Sequence, residues 1–501
     1  MKIRNFFYGL LLPLSFAPFH LPIFAILSLA LFYRELRKSK PAAAFIAGLL
    51  YGLGFFGFGV SWIFVSIHEY SNLSAIVSGC ITVIFILYFA LFPACVAVLY
   101  TCVRIQNQLL SILGFASIWI VSEYLRSTLF TGFPWLLIGF GQFDTVLRTL
   151  LPIIGVYGVG FLTCVLAGLL TFTLQQTIYN QPITAISKII TLLLIILTML
   201  PIMSHKSRVL DTAHTLSVGI IQANMSMHDE WDENLFWNLL QHYQSKARKL
   251  LGTDIIVMPE SALPIPEIYI NDILTNLDLQ AQRAGSTIIL GIPKSVDADV
   301  TLYYNALISL GKNHGTYFKQ HLVPFGEYIP KSFNKLTNWL DIPDASLSAG
   351  GMNQKLVAVR NHPIATLICY ELAYGELLRH QLPQAQLIIS ISDFSWFGHS
   401  LAIYQQQQIA QVRSLQTARY QIVANSNGLS SIIDQNGELI ATLPLFKTKI
   451  LRSSVNYLDT STPWVTWGDD PILILAYIIG IIFIMHAISL TILHRFVSAL
   501  H

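Results

Sequence analysis

The sequence predicts a multi-spanning α-helical membrane domain with eight transmembrane helices, joined to an α/β domain. Apolar residues make up 54% of the 501 residues and charged residues only 11%, a composition that places much of the chain in a lipid bilayer. Long apolar runs lie before residue 204 and after residue 470, and short β-rich runs alternate with helical stretches between them. The formal net charge of +3 is too small to suggest a nucleic-acid partner.

The membrane domain begins with an interrupted apolar run. Lys2 and Arg4 precede it, as in a signal peptide, but no small-residue cleavage site follows and Pro18 and Pro22 break the run. We therefore predict two short membrane helices, at about residues 5–19 and 21–34, and no removed signal peptide. The further predicted spans, each near the ~20 apolar residues that cross a bilayer, are 42–67, 76–103, 108–126, 150–178, 184–203 and 471–493.

The basic residues of the short loops predict the orientation. Those on one side are Lys2, Arg4, Arg34, Arg37, Lys38, Lys40 and Arg104, with Arg495 after the last span. The opposite side, which includes Ser66–Ser74, has almost no lysine or arginine, although Arg126 and Arg148 are exceptions in the longer loop there. Because basic loops stay in the cytoplasm, both termini are expected there. The predicted organisation is a membrane domain (1–203), an extracytoplasmic domain (204–470) and a last transmembrane helix (471–501), in a bacterial inner membrane with the middle domain in the periplasm.

Two motifs inside the membrane domain need interpretation. Gly52–Gly57 matches a dinucleotide fingerprint, but it lies within a predicted span with no preceding strand, so close helix packing is expected instead. Glu123 and Arg126 stand three apart at the end of the fifth span, beside Gly132–Trp135. They form either an intrahelical pair at the membrane interface or part of a cavity for a polar head group.

The middle of the chain predicts a mixed sheet with helices. The predicted strands are Leu216–Ile221, Ile255–Met258, Thr287–Leu290, Ala306–Leu310, Ala365–Ile368, Leu387–Ile391, Ile422–Ala424 and Ser430–Ile433. The predicted helices are Asp232–Leu251, Asn271–Ala284 and Leu401–Arg419, and Glu371–His380 is a further candidate. The Gln405–Gln408 run is expected to form a solvated helix face.

A cysteine follows one of these strands. Cys369 comes directly after the apolar run Ile364–Ile368, and the chain's other cysteines all fall in apolar runs of the membrane domain, which excludes a structural disulfide in the polar part. Cys369 is either a small core residue or a nucleophile presented at a strand-to-helix turn, where backbone N–H groups stabilise a thiolate and an oxyanion.

Two charged residues complement this cysteine. Glu260 ends the run Ile255–Glu260, at the edge where α/β sheets usually place their sites. Lys319 lies in Tyr317–Glu327, a segment rich in aromatics, proline and glycine. A carboxylate can accept the thiol proton, a lysine can lower the thiol pKa and stabilise an oxyanion, and the thiolate can attack a carbonyl.

The residues around these three positions resemble the nitrilase superfamily. The matching motifs are Pro259-Glu260-Ser261, Lys319-x-x-Leu322-Val323-Pro324-Phe325-Gly326-Glu327 and Cys369-Tyr370-Glu371. With membrane helices at both ends, the chain resembles the apolipoprotein N-acyltransferase family. Further motifs that carry the resemblance are Phe16–Phe19, Glu123–Arg126, Gly132–Trp135, Gly155–Gly158, Gln222–Asn224, Trp231, Tyr304–Asn305, Trp396–Gly398 and Thr462–Trp464.

The resemblance implies an α-β-β-α sandwich on eight membrane helices. We expect a monomer that uses no metal or cofactor. The resemblance also implies that Cys369 is the nucleophile, Glu260 the general base and Lys319 the oxyanion stabiliser. The implied supporting residues are Glu327, Tyr370 and Glu371, and the implied substrate-binding residues are Trp231, Asn305, Trp396, Glu123 and Arg126. The implied reaction moves an acyl chain from a phospholipid, through a thioester on Cys369, to the α-amine of a diacylated lipoprotein.

The sequence departs from the family pattern beside the site. Asp393–Gly398 replaces Asn-Asp-x-Trp-Phe-Gly, Val423–Gly428 replaces Arg-Ala-Thr-Asn-Thr-Gly, and Gln416 stands where a glutamate is usual. These changes leave donor preference, acceptor preference and full activity open. The alternatives are a membrane-tethered nitrilase-type amidase, an acyltransferase with another acceptor, and a catalytically dead membrane scaffold.

Overall fold

The computed structural model describes residues 3–70, 73–103, 105, 107–178, 215–224, 233–295, 302–330 and 347–498. The chain divides into two compact units. One comprises Met1–Ile63, Gly79–Arg208 and Trp467–His501, and the other comprises Phe64–Ser78 and Val209–Thr466. The domain boundaries expected from the sequence stay predictions.

The helices of the described residues account for most of the predicted ones. They are α1 Arg4–Leu11, α2 Ile23–Leu36, α3 Pro41–Gly59, α4 Ile63–Tyr70, α5 Ala75–Cys102, α6 Gln108–Thr128, α7 Leu151–Ile178, α8 Glu233–Leu250, α9 Asn271–Ala284, α10 Gly375–Arg379, α11 Leu401–Thr417, α12 Pro463–Trp467 and α13 Asp470–Ser498. Within the described residues, four helical segments are long and apolar enough to cross a membrane: Pro41–Gly59, Ala75–Cys102, Gln108–Thr131 and Val146–Leu174. The predicted span 184–203 lies outside the described residues.

Two predicted membrane helices have different bounds. The first, expected over residues 5–19, ends as α1 at Leu11 and continues as the 3-10 turn Leu12–Ser15. Pro13 lies in this turn, and a proline removes a backbone donor and clashes with the preceding helical turn. The single span expected over 42–67 is also wrong. α3 ends at Gly59, Val60 leaves the helical region at φ −129°, and α4 begins at Ile63.

The glycines of α3 confirm close helix packing. A Cβ added at Gly52 would lie 2.5 Å from the Cα of Ala90 in α5, and one added at Gly54 would lie 2.1 Å from the carbonyl oxygen of Phe6 in α1. Only residues without a side chain allow backbones to approach this closely. The glycine motif therefore serves helix contacts rather than a phosphate.

The second unit contains two six-stranded mixed sheets where the sequence predicts one mixed sheet. The first has the order β12-β1-β2-β3-β4-β5 and the second β11-β10-β9-β8-β7-β6. The strands are β1 Thr215–Gln222, β2 Ile255–Val257, β3 Thr287–Ser295, β4 Tyr303–Gly311, β5 Gly315–Phe318, β6 Val357–Val359, β7 His362–Ile368, β8 Ile388–Ser392, β9 Gln421–Asn425, β10 Ser431–Ile433, β11 Leu439–Thr442 and β12 Lys449–Asn456. β1, β2 and β3 run parallel, as do β7, β8 and β9. All eight predicted strands are present.

The sheets stack face to face. Buried side chains of both, such as Val257 from the first and Ile389 from the second, form one apolar core between them. The other face of the first sheet is covered by α8 and α9, through residues such as Leu240 and Leu277, and α11 packs on β9 and β10 of the second. Each sheet thus buries both faces, which gives the layers α-β-β-α.

The expected solvated face at Gln405–Gln408 is wrong. All four side chains are at least 90% buried, with exposed fractions from 1% to 7%. Four successive residues at about 100° each span the full circumference of a helix, so α11 is covered on every side there. Some of these amides find partners inside the protein: Gln406 bonds to Cys369 and Ser392, and Gln407 accepts from the Ser431 hydroxyl.

The predicted helix Glu371–His380 is also wrong. The chain forms the 3-10 turn Cys369–Ala373 and then α10, because Tyr374 between them has an extended backbone at φ −91° and ψ 95°.

Candidate active site

Glu260 is held just beyond the end of a buried strand. β2 ends at Val257, and two further residues carry the chain to Glu260, which is 8% exposed. Its Oε2 accepts the backbone N–H of Asp393 at 3.0 Å, and its Oε1 accepts the amide of Asn305 at 2.7 Å. A Cβ at Gly291 of β3 would lie 1.8 Å from the Glu260 carbonyl oxygen. The position of this carboxylate therefore depends on a glycine in the neighbouring strand.

Lys319 follows β5 directly and is 1% exposed. Its Nζ donates to Oε1 of Glu260 at 3.1 Å and to Oε1 of Glu327 at 2.8 Å. The Asn305 amide donates to the same two oxygens, at 2.7 Å and 2.9 Å. Two carboxylates, a cation and an amide form one network, in which Lys319 and Glu260 are buried and Asn305 and Glu327 are partly buried, and their mutual contacts offset the cost of burying charge.

Cys369 comes immediately after β7 and begins the 3-10 turn. Its φ of +55° lies in the left-handed region, which is uncommon for a cysteine. Such a conformation persists only where the surrounding structure holds it, and it is enriched at functional sites. The thiol is free, and the Glu260 carboxylate is near enough to raise its pKa. The structure thus brings together the three residues that the sequence selects as catalytic.

Burial and neighbouring charges set the protonation states. Burial raises the pKa of the Cys369 thiol well above its ordinary value, and Glu260 raises it further, while Lys319 opposes them. Burial also raises the pKa of the Glu260 carboxyl, although Lys319 lowers it. Burial opposes the Lys319 cation, but Glu260 and Glu327 outweigh burial and raise the Lys319 pKa well above its usual range. The resting site therefore contains a protonated thiol, a nearby carboxylate that can accept its proton, and a Lys319 side chain that stays protonated.

Glu371 connects the Cys369 turn to the loop that carries Lys319. Its buried carboxylate accepts hydrogen bonds from the N–H groups of Ile368 (2.8 Å), Gln320 (2.6 Å) and His321 (3.1 Å) and from the Tyr317 hydroxyl (3.1 Å). Burial raises the pKa of Glu371 to about 7, although these N–H donors and Lys319 lower it. Because Ile368 precedes Cys369 and Gln320 follows Lys319, this carboxylate fixes the spacing of the thiol and the cation.

Sequence reasoning missed three groups at this site. They are the Tyr317 hydroxyl on Glu371, the backbone N–H of Asp393 on Glu260, and the Gln406 amide, which donates to the Cys369 carbonyl oxygen at 3.2 Å. Asp393 directly follows β8, as Cys369 follows β7, and that shared strand-end position is the one signal that could have found it. Nothing in the sequence marks the other two.

Other predicted site residues lie in the same unit. Tyr370 is partly buried, and its ring packs edge-on against Tyr374 with centroids 5.1 Å apart. Trp396 is partly buried in the 3-10 turn Ser395–Phe397. Trp231 lies outside the described residues. The substrate-binding roles of Trp231, Trp396 and Asn305 stay predictions.

Glu123 and Arg126 lie in the membrane unit, buried towards the end of α6. Arg126 donates to the carbonyl oxygens of Phe133 (2.8 Å) and Trp135 (2.6 Å), and Glu123 accepts the N–H of Ile138 at 3.1 Å. Both side chains therefore fasten the segment after α6 to that helix. They also line a cavity of about 10 Å³, which has room for about one water molecule. Their predicted role towards a head group stays a prediction.

Comparison with known proteins extends the similarity over both units. The family described as "Apolipoprotein N-acyltransferase N-terminal domain" matches residues 8–169, and the family "Carbon-nitrogen hydrolase" matches residues 217–460. The apolipoprotein N-acyltransferase of Methylococcus capsulatus is 35% identical over 484 residues, which cover 95% of this chain and 94% of that protein. The one of Coxiella burnetii is 33% identical over 470 residues, which cover 93% of this chain and 96% of that protein. The chain therefore belongs to the apolipoprotein N-acyltransferase family.

Proposed function

We propose that the chain N-acylates lipoproteins by moving an acyl chain from a phospholipid, through a thioester on Cys369, to the α-amine of an N-terminal diacylglyceryl-cysteine. The activity, lipoprotein N-acylation, follows from membership of the family. The donor, the intermediate and the residue roles are our proposal. The observation that carries them is the buried contact of Lys319 with Glu260, whose charge raises the pKa of the Cys369 thiol.

The first half-reaction transfers the acyl chain to sulfur. Glu260 accepts the Cys369 proton as the sulfur attacks the ester carbonyl carbon. The carbonyl oxygen becomes an oxyanion, which Lys319 and backbone N–H groups beside Cys369 stabilise. The C–O bond then breaks, the lysophospholipid oxygen takes the proton from Glu260, and a thioester remains.

The second half-reaction transfers the acyl chain to nitrogen. The lipoprotein α-amine attacks the thioester, Glu260 accepts a proton from that amine, and the oxyanion forms again at the same donors. The C–S bond breaks, the Cys369 sulfur regains the proton, and an amide is released. Two half-reactions at one nucleophile predict ping-pong kinetics. Glu327, which shares Lys319 with Glu260, assists proton transfer, and Glu371 orients the site.

The membrane unit suits such substrates, since both carry lipid chains that a bilayer accommodates. The four long apolar helical segments support the eight-helix architecture. In our proposal the protein is a monomer in the bacterial inner membrane, and the catalytic domain faces the periplasm.

The test is mass spectrometry of the intact, detergent-solubilised protein after incubation with phospholipid. The unsubstituted protein should gain the mass of one acyl chain on the Cys369 peptide. Adding a diacylated lipopeptide should discharge that adduct and give a triacylated product. Persistence of the adduct with the lipopeptide, but discharge by water or another amine, would favour the amidase or the alternative acyltransferase.

Cys369→Ala should form no adduct and no product, and Cys369→Ser should retain little activity, because a hydroxyl is a weaker nucleophile at neutral pH. Cys80→Ala, a cysteine exposed on α5, is the matched control and should behave as the unsubstituted protein. A fully active Cys369→Ala variant would exclude this mechanism.

A further inference from the structure

Gln406 lies against the backbone of the proposed nucleophile. It is on α11 and is 4% exposed. Its Nε2 donates to the Cys369 carbonyl oxygen at 3.2 Å and to the Ser392 hydroxyl, also at 3.2 Å. A carbonyl oxygen only accepts hydrogen bonds, so the amide nitrogen, and not the amide oxygen, must face Cys369. Gln406 is therefore the donor and the Cys369 carbonyl oxygen the acceptor of this hydrogen bond.

The hydrogen bond from Gln406 orients the whole Cys369–Tyr370 peptide and not only its carbonyl oxygen. The peptide bond between Cys369 and Tyr370 is planar and trans, so its carbonyl and its N–H point in opposite directions and turn together. Holding the Cys369 carbonyl therefore sets the direction of the Tyr370 N–H, the first backbone donor after the nucleophile. This is valuable at Cys369 because its left-handed φ of +55° is a conformation that neighbours must maintain.

The second contact of Gln406 reaches the strand that supports Glu260. Ser392 ends β8, and the N–H of the next residue, Asp393, donates to Glu260 Oε2 at 3.0 Å. One buried amide group thus connects the peptide of the nucleophile with the strand end that holds the carboxylate of the base. Both are needed when the thiol loses its proton and the oxyanion forms.

We propose that Gln406 is a positioning residue for acyl transfer, whose amide fixes the Cys369–Tyr370 peptide and thereby directs a backbone N–H at the oxyanion. The inference rests on the proposed thioester mechanism and deepens it. Gln406 itself touches neither substrate nor the reacting sulfur.

The experiment compares two reactions of the same thiol in the full-length protein. Acylation by phospholipid develops an oxyanion, whereas alkylation by iodoacetamide displaces iodide and develops none. Gln406→Met keeps the chain length and removes both N–H donors, and Gln406→Glu keeps the shape but presents a carboxylate to the carbonyl. Gln407→Met is the matched control, since Gln407 is a neighbouring buried glutamine that accepts a bond from the Ser431 hydroxyl at 3.1 Å.

Both Gln406 variants should form the acyl adduct about 10-fold to 100-fold more slowly, somewhat less than the ~10²–10³-fold loss for removing an oxyanion donor outright. The KM for phospholipid should not change, because the loss is confined to the transition state. Alkylation of Cys369 should stay within roughly twofold of the unsubstituted protein, since no oxyanion forms. Gln407→Met should match the unsubstituted protein in both reactions.

Three results would overturn the inference. They are acylation at the normal rate in both variants, equal losses of acylation and alkylation, and the same loss in Gln407→Met. If the unsubstituted protein is alkylated but never acylated by phospholipid, the proposed function fails first and the inference fails with it.

Discussion

At the scale of single residues, the proposed mechanism makes activity depend on the charges around Lys319. Glu260 can accept a proton only when it is ionised, and burial raises its pKa above the ordinary value. As the pH falls through that raised pKa, the base is lost and acylation slows. Lys319 behaves differently, because its pKa lies well above the usual range and its cation persists in mildly alkaline solution. The fall in rate is therefore expected on the acid side.

The first prediction concerns this acid limb. The rate of acyl-adduct formation should decline on acidification at a higher pH than an ordinary glutamate would give, and Glu371, whose pKa is about 7, should contribute to it. Glu260→Gln should lower the rate by roughly 10²–10⁴-fold, the usual contribution of a general base. The measurement is adduct formation by intact-protein mass spectrometry between about pH 5 and pH 9, a window that brackets these groups.

Glu267→Gln is the control for this prediction, because Glu267 lies in the 3-10 turn Glu267–Tyr269 and pairs with Lys294 rather than with Lys319. Its profile should match that of the unsubstituted protein. An unchanged rate and acid limb in Glu260→Gln would show that another group takes the thiol proton.

At the scale of elements, the strands that the sequence missed share one property. They are β5, β6, β11 and β12, and they are the outer strands of the two sheets. Edge strands are often short or polar because only part of their surface is covered; β11, for instance, is largely exposed. The central strands are continuous buried apolar runs, which is why Ile255–Val257 and Ala365–Ile368 were recognisable.

The residues of the candidate site likewise divide into those that the sequence reveals and those that only the tertiary structure reveals. Glu260, Lys319 and Cys369 were found because each directly follows a strand or lies in a distinctive motif. The sequence predicts that Gln406 faces solvent, since a run of polar residues in a helix usually faces water. Its burial depends on how completely α11 is covered, which is a property of the tertiary structure. Backbone donors such as the Asp393 N–H leave no trace in a sequence.

A second prediction follows from the packing of β2 against β3. Gly291→Ala should displace the backbone that carries Glu260, because the new methyl would lie 1.8 Å from its carbonyl oxygen. Adduct formation should fall at least about 10-fold, since catalytic groups tolerate only small displacements. The control is Gly351→Ala, where an added Cβ meets nothing within 4 Å. If Gly291→Ala acylates as fast as Gly351→Ala, Glu260 does not need this close approach.

At the scale of the whole molecule, chemistry and membrane attachment belong to different units of the chain. The predicted orientation comes from the basic loops, of which the loop containing Arg37 and Lys38 joins α2 to α3. The bound of each helix depends on individual residues such as Pro13 and Gly59, and composition alone does not determine which proline or glycine ends a helix. The apolar content, in contrast, was sufficient to identify a membrane protein.

The third prediction tests this orientation. In spheroplasts, a membrane-impermeant maleimide should label Met352→Cys, at a side chain that is 71% exposed in the catalytic unit. It should label Lys38→Cys only after the membrane is permeabilised, because basic loops stay inside. Both substitutions are made in a Cys369→Ala background, and that background alone measures labelling of the native cysteines. Labelling of Lys38→Cys in sealed spheroplasts, without labelling of Met352→Cys, would show that the topology is the opposite of the predicted one.

The three proposed catalytic residues do not come from one sheet. Glu260 and Lys319 follow strands of the first sheet, whereas Cys369 follows a strand of the second. A nascent chain halted before β7 therefore carries the acid and the cation but not the cysteine. In the proposed mechanism an acyl chain is therefore captured only after the two sheets have packed together, so an incomplete chain acquires none.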